Sequence, residues 1–118
     1  MASTAQDRLN VVYQSFSSAF RRRSADLRAA TTEEQADAIL DNVAALEVAY
    51  LTAARQALEN NGPQVEIAYQ AAVAAKKQVD DAYAQAKSLA ARIGLVGDLV
   101  GKVGTLVATA SGSEAEAA

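Results

Sequence analysis

The chain has no cysteine, no histidine and no tryptophan, and only one proline. Without cysteine there are no disulfides, no iron–sulfur clusters and no thiol nucleophile. Without histidine the usual neutral-pH acid–base group is missing, as is the Glu-x-x-His pattern of di-metal helical bundles. Aromatic residues are scarce: two phenylalanines and four tyrosines in 118 residues. That argues against a β-sandwich, which draws its core from β-branched and aromatic side chains. Excess positive charge is missing too. The net charge is −3 and the isoelectric point about 4.8, so no nucleic-acid partner is expected. Residues Met1–Asn10 hold no basic stretch followed by an apolar run, which is unlike a Sec-type signal peptide. A cytoplasmic location is expected, with export by a route that reads no such signal left open.

What the chain does have is apolar bulk made largely of alanine, in periods of three and four. Half of the residues are hydrophobic. Leu9, Val12, Tyr13, Phe16, Phe20 and Leu27 recur at helical spacing and predict a first helix over about 4–30, opened at Ser3 or Thr4, with Asp7 favouring its N-terminal dipole. Thr31 with Glu34, or Thr32 with Gln35, predicts the start of a second over about 32–60, with Ile39, Leu40, Val43, Leu46 and Tyr50 on its face. Asn60-Asn61-Gly62-Pro63 is a stop and a restart. A third helix follows over about 63–93, with Val65, Ala68, Tyr69, Ala72, Val79, Ala82 and Tyr83 inward. The turns are short, so neighbours are expected to run antiparallel.

Residues 93–110 divide into three sectors on a helical wheel. Leu95, Val96, Leu99, Val100, Val103, Leu106 and Val107 form an apolar face. Asp98, Lys102, Thr105 and Thr109 form a polar one. Gly94, Gly97, Gly101, Gly104 and Ala108 form a third stripe. Four glycines cost a helix about 1 kcal/mol each against alanine, so something must pack on it. Small residues four apart, as at Gly97 and Gly101, permit close helix contact, and these glycines are expected to pack tightly against a neighbour. The expected fold is therefore all-α: an antiparallel bundle of three long helices plus a shorter glycine-rich C-terminal helix. A break is expected between Gly94 and Gly97, with one continuous helix to about residue 110 as the alternative. A single domain is expected over 1–110, with a disordered tail over 111–118.

Several charged groups invite a chemical reading. Glu47 and Lys76 sit mid-face on the second and third helices, at levels that match across a hairpin turning at Asn61–Pro63. They are expected to form a structural ion pair that sets register. Arg21, Arg22 and Arg23 suit the C-terminal dipole of the first helix and the carboxylates of Glu33, Glu34 and Asp37 across the turn. Arg23, on the inner side, is expected to meet a carboxylate of a neighbouring helix. Glu33, Glu34, Asp37 and Asp41, and the pair Asp80-Asp81, lack the nitrogen ligands of a metal centre. Tyr13, Tyr50, Tyr69 and Tyr83 read as interfacial bulk. There is no P-loop, dinucleotide fingerprint, catalytic triad or zinc spacing.

These readings give no catalytic residue, no metal ligand, no cofactor and no small-molecule substrate. They favour a non-enzymatic interaction or structural protein. Its C-terminal helix either joins its own bundle or meets a partner protein or a second copy through Leu95, Val96, Leu99, Val100, Val103, Leu106 and Val107. The alternative is a peripheral membrane protein that lays the same segment on a bilayer surface.

Overall fold

A computed structural model describes residues 2–112. It is all-helical, with four helices: α1 (Ala5–Ala29), α2 (Glu33–Gln56), α3 (Pro63–Ala84) and α4 (Leu89–Ala110). Their lengths are close, 22 to 25 residues, so the expected contrast between three long helices and one short one does not hold. At 1.5 Å per residue such helices run about 33–38 Å, consistent with the 42 Å long axis of the molecule.

The first two starts follow from local chemistry. Thr4 Oγ1 accepts from the Asp7 amide at 3.1 Å, and the Asp7 carboxylate accepts from the Thr4 amide at 2.9 Å. Thr32 Oγ1 accepts from Gln35 N at 3.1 Å, while the Gln35 side chain accepts from Thr31 N at 2.9 Å. Pro63 opens α3 behind Gly62, whose φ of +139° is a conformation that L side chains rarely adopt.

The third boundary lies elsewhere than the glycines suggest. α3 stops at Ala84, and α4 starts at Leu89 rather than after Gly94. Ala86 takes the left-handed conformation, φ +52°. Lys87 N donates to Ala82 O at 3.0 Å and Ala86 N to Tyr83 O at 3.2 Å, the bond pair of a Schellman stop. Ser88 Oγ then caps α4 by accepting from Ala91 N at 3.2 Å. Neither a bend at Gly94–Gly97 nor one continuous helix occurs. The expected tail falls mostly outside the described residues; Ser111 and Gly112 form a turn.

Buried side chains from all the helices share one core. α3 contributes a mainly small face, Val65, Ala68, Ala72, Ala75, Val79 and Ala82. α4 meets it with a larger one, Val96, Leu99, Val103 and Leu106. Large against small lets the two layers interdigitate. On α1 the buried stripe is Arg8, Val12, Ser15, with Ala19 and Arg22 partly covered and Asp26 buried. At 100° per residue this is about a quarter turn from the face that the aromatic residues suggest. Tyr13 and Phe20 are consequently 47% exposed, with Tyr13 and Phe16 against Tyr50 of α2.

α2 packs on α1 and α4, and α3 packs on α4 and α1, but α2 and α3 have no Cα pair within 8 Å among the described residues. The segment after α2 therefore crosses the end of the molecule instead of closing a hairpin. This overturns the expected Glu47–Lys76 pair: Glu47 is exposed, and Lys76 Nζ bonds Asp80 of its own helix at 2.7 Å.

Candidate functional site

Two buried polar clusters hold opposite ends of the fold. At one end, Arg8 is 1% exposed and uses every N–H of its guanidinium. Nε donates to Ser3 Oγ at 2.9 Å. Nη1 donates to the carbonyls of Leu58 (2.8 Å) and Asn60 (3.0 Å). Nη2 donates to Ser3 O (2.8 Å) and Asn61 Oδ1 (3.0 Å). Glu66 stands 3.9 Å from Nη2 and accepts from both the hydroxyl and the amide of Ser3. The Ser3 hydroxyl, then its amide, and also Arg8 hold the Glu66 carboxyl below its ordinary pKa. Asn60 also closes α4, donating from N to Ala110 O at 2.9 Å and from Nδ2 to Thr109 O at 3.1 Å. The crossing segment is thus bound to the start of α1 and the end of α4.

At the other end Asp26, buried near the end of α1, accepts from Arg92 of α4 at 3.1 Å and from the Tyr83 hydroxyl of α3. Burial, and then the bond to Asp26, push the Tyr83 hydroxyl well above the ordinary tyrosine pKa. The Arg22 and Arg92 guanidinium carbons lie 4.1 and 4.9 Å from the Tyr83 ring centroid, within cation–π range. Asp80 joins Arg22 at 3.3 Å to Lys76 at 2.7 Å. A cavity of about 20 Å³ beside this cluster, lined in part by Ser15, Asn42 and Val96, has room for about one water. The five charged groups and the phenol bond to one another, although Arg92 Nε is buried without a hydrogen-bond partner among the described residues, and the arrangement suits cohesion of three helices. Asp26→Ala is expected to destabilise the fold by about 2 kcal/mol in urea titration, and to bring the Tyr83 pKa back down in an alkaline absorbance titration.

Arg8 and Asp26 were not singled out by the sequence patterns, although one signal marks both. Positions 8, 12, 15, 19, 22 and 26 recur at steps of four and three, so a stripe with charged ends runs along one face of α1. Of the arginine cluster, Arg22 reaches α3 rather than the carboxylates across the turn. Arg21 Nη1 donates to Ser17 at 3.2 Å, and Arg23 lies 4.6 Å from the Phe20 ring centroid. The expected carboxylate partner of Arg23 is absent from the ion pairs of the described residues. Among the described residues no three acidic side chains gather as a metal site.

Of the two placements expected for the aliphatic face of the C-terminal helix, the structure has the one inside its own bundle, while the glycine stripe lies outward. Val96, Leu99, Val103, Leu106 and Val107 are buried, and Leu95 and Val100 are packed against them. Gly94, Gly97, Gly101 and Gly104 are exposed. A Cβ placed on Gly94, Gly101 or Gly104 meets nothing within 4 Å, and one on Gly97 meets only Asn42 Oδ1 at 3.9 Å. The tight-packing role assigned to these glycines is therefore corrected: the small residues at helix contacts are the alanines of α3. By length and composition α4 is apolar enough to cross a membrane, yet its aliphatic side chains point into the protein.

Beside the glycines runs a groove between α2 and α4. Its volume is about 350 Å³, and Ala45, Val48, Thr52, Val100, Gly104 and Ala108 are among its walls. Val48, at the rim, is 62% exposed. Leu40 and Leu51, 45% and 52% exposed, extend the aliphatic surface along the outer side of α2. Asp98 and Lys102 flank the glycines on α4, exposed and outside every ion pair among the described residues. No known protein family, no curated protein and no solved structure matches the chain.

Proposed function

We propose that this protein is a non-enzymatic helical interaction protein whose docking surface is the face shared by α2 and α4. In this reading the fold is two antiparallel hairpins, α1 with α2 and α3 with α4, joined by the crossing segment. The proximity of Arg8 to Leu58 and of Tyr13 to Tyr50 supports that arrangement for the first pair. The carrying observation is the solvent side of α4. Four glycines occupy exposed helical positions where alanine fits, so each weakens the isolated fold with no packing return there. A docked helix supplies the return, because a surface without side chains lets a second backbone approach closely. Exposed Val48 supplies apolar area at the edge, in the manner of helix-in-groove recognition. A bilayer-bound state, by contrast, requires α4 to withdraw its aliphatic side chains from the core.

The test is site-specific photo-crosslinking in the protein's own cells. A benzophenone amino acid at Val48 is expected to give a discrete protein adduct, identified by mass spectrometry. The same group at Ile67, 70% exposed on α3, is expected to give none. Equal labelling from both positions, or none from Val48, contradicts the reading.

A further inference from the structure

The geometry points to a second copy of this chain as the occupant of the α2–α4 face, with the two α4 helices crossing antiparallel about Leu99; this rests on the docking reading above. The glycine stripe that borders the groove at Gly104 has the requirements of an isologous contact, in which one patch must complement itself. About a centre at Leu99, Gly94 lies opposite Gly104 and Gly97 opposite Gly101. The open positions of one helix therefore meet the open positions of the other over the whole stripe. The charges select the direction. In an antiparallel crossing Asp98 lies within two residues of the level of Lys102 of the second copy, about 3 Å along the axis and within reach of a lysine side chain, and the pair forms twice. In a parallel two-fold crossing the flank that carries Asp98 and Lys102 on one helix lies across the contact from the same flank of the other, so the pair does not form. Both groups are exposed and unpaired among the described residues, so the crossed pairs break nothing in the single chain. Val48 and the groove wall at Val100 flank the crossing and extend the buried area on each side.

A chain with no native cysteine makes the test direct. Gly94→Cys and Gly104→Cys are prepared separately; both positions have open space at Cβ, and circular dichroism checks the fold. Antiparallel crossing puts residue 94 opposite residue 104 of the second copy, but separates residue 94 from its own counterpart by about 15 Å along the axis. A disulfide needs Cα atoms within about 7 Å. Under mild oxidation the mixture is expected to give a covalent dimer, and each variant alone is expected to stay uncrosslinked. Light scattering on the wild type is expected to give twice the 12.3 kDa chain mass. A crosslink from Gly94→Cys alone, with none added by mixing, overturns the antiparallel pairing while the docking face stands. A wild-type monomer at high micromolar concentration overturns the second copy as occupant. The Val48 photo-adduct then identifies a different protein if the docking reading holds, and is missing if that reading fails as well.

Discussion

Arg8→Met is expected to lower the stability of the fold by about 4 kcal/mol, a large share of what a domain of this size possesses. Methionine preserves the apolar stem and removes the guanidinium. The cost then comes from the groups left behind: the buried Leu58 carbonyl and the carbonyls of Ser3 and Asn60 lose a charged donor, and Glu66 loses the cation beside it. A buried acceptor without a partner costs about 1–3 kcal/mol. Because no Cα of α2 comes within 8 Å of one in α3, the segment between them has few alternative anchors, and the loss extends to the bonds from Asn60 that close α4. Arg8→Lys is expected to rescue little, since an ammonium has three donors and no planar fork to reach five acceptors. Arg21→Met, at an exposed position, is the control and is expected to fall within about 0.5 kcal/mol of the wild type. Urea denaturation followed by circular dichroism reads all three. A loss below about 1 kcal/mol for Arg8→Met contradicts the anchoring role.

Replacing Gly94, Gly97, Gly101 and Gly104 together by alanine is expected to stabilise the single chain by about 3 kcal/mol. Each exposed Gly→Ala change in a helix interior is worth about 0.5–1 kcal/mol, through the smaller conformational freedom of the unfolded chain and better helix propensity. The gain appears only where the new methyl group fits. Three of the positions are open, and the fourth offers ordinary contact at 3.9 Å. Had the glycines served helix contact inside the protein, the same substitutions would push α4 off its neighbours and destabilise it. Thermal and urea unfolding at low concentration, where association is minimal, distinguish the two by sign.

Much of this architecture was legible in the residue pattern. The caps at Thr4 and Thr32 and the Gly62–Pro63 restart have their chemistry in neighbouring residues, so local rules place them. The boundary between α3 and α4 was hidden because Ala86 fills a position that glycine usually marks, while the marked glycines a few residues later lie within a helix. The face of α1 was misjudged because large aromatic residues outweighed a stripe of Val12, Ser15 and Ala19 with charged ends. Burial follows which neighbours are present, and that depends on a crossing connection no local pattern encodes. The same gap produced the Glu47–Lys76 expectation, which assumed that consecutive helices must touch. For α4 the wheel separated its sectors correctly, but not which apolar or small sector faces the protein. That choice depends on α3, whose alanine face accepts large side chains and leaves no need for glycine opposite.

The function proposed for this protein requires the bare side of α4 to be a contact surface and not a packing device. Sedimentation velocity of Gly101→Leu beside the wild type measures this most directly, because position 101 is near the centre of the stripe and has open space at Cβ. The predicted result is a folded monomer, no less stable than the wild type, at concentrations where the wild type sediments as a dimer. A leucine variant that dimerises with wild-type affinity, or that unfolds, contradicts it.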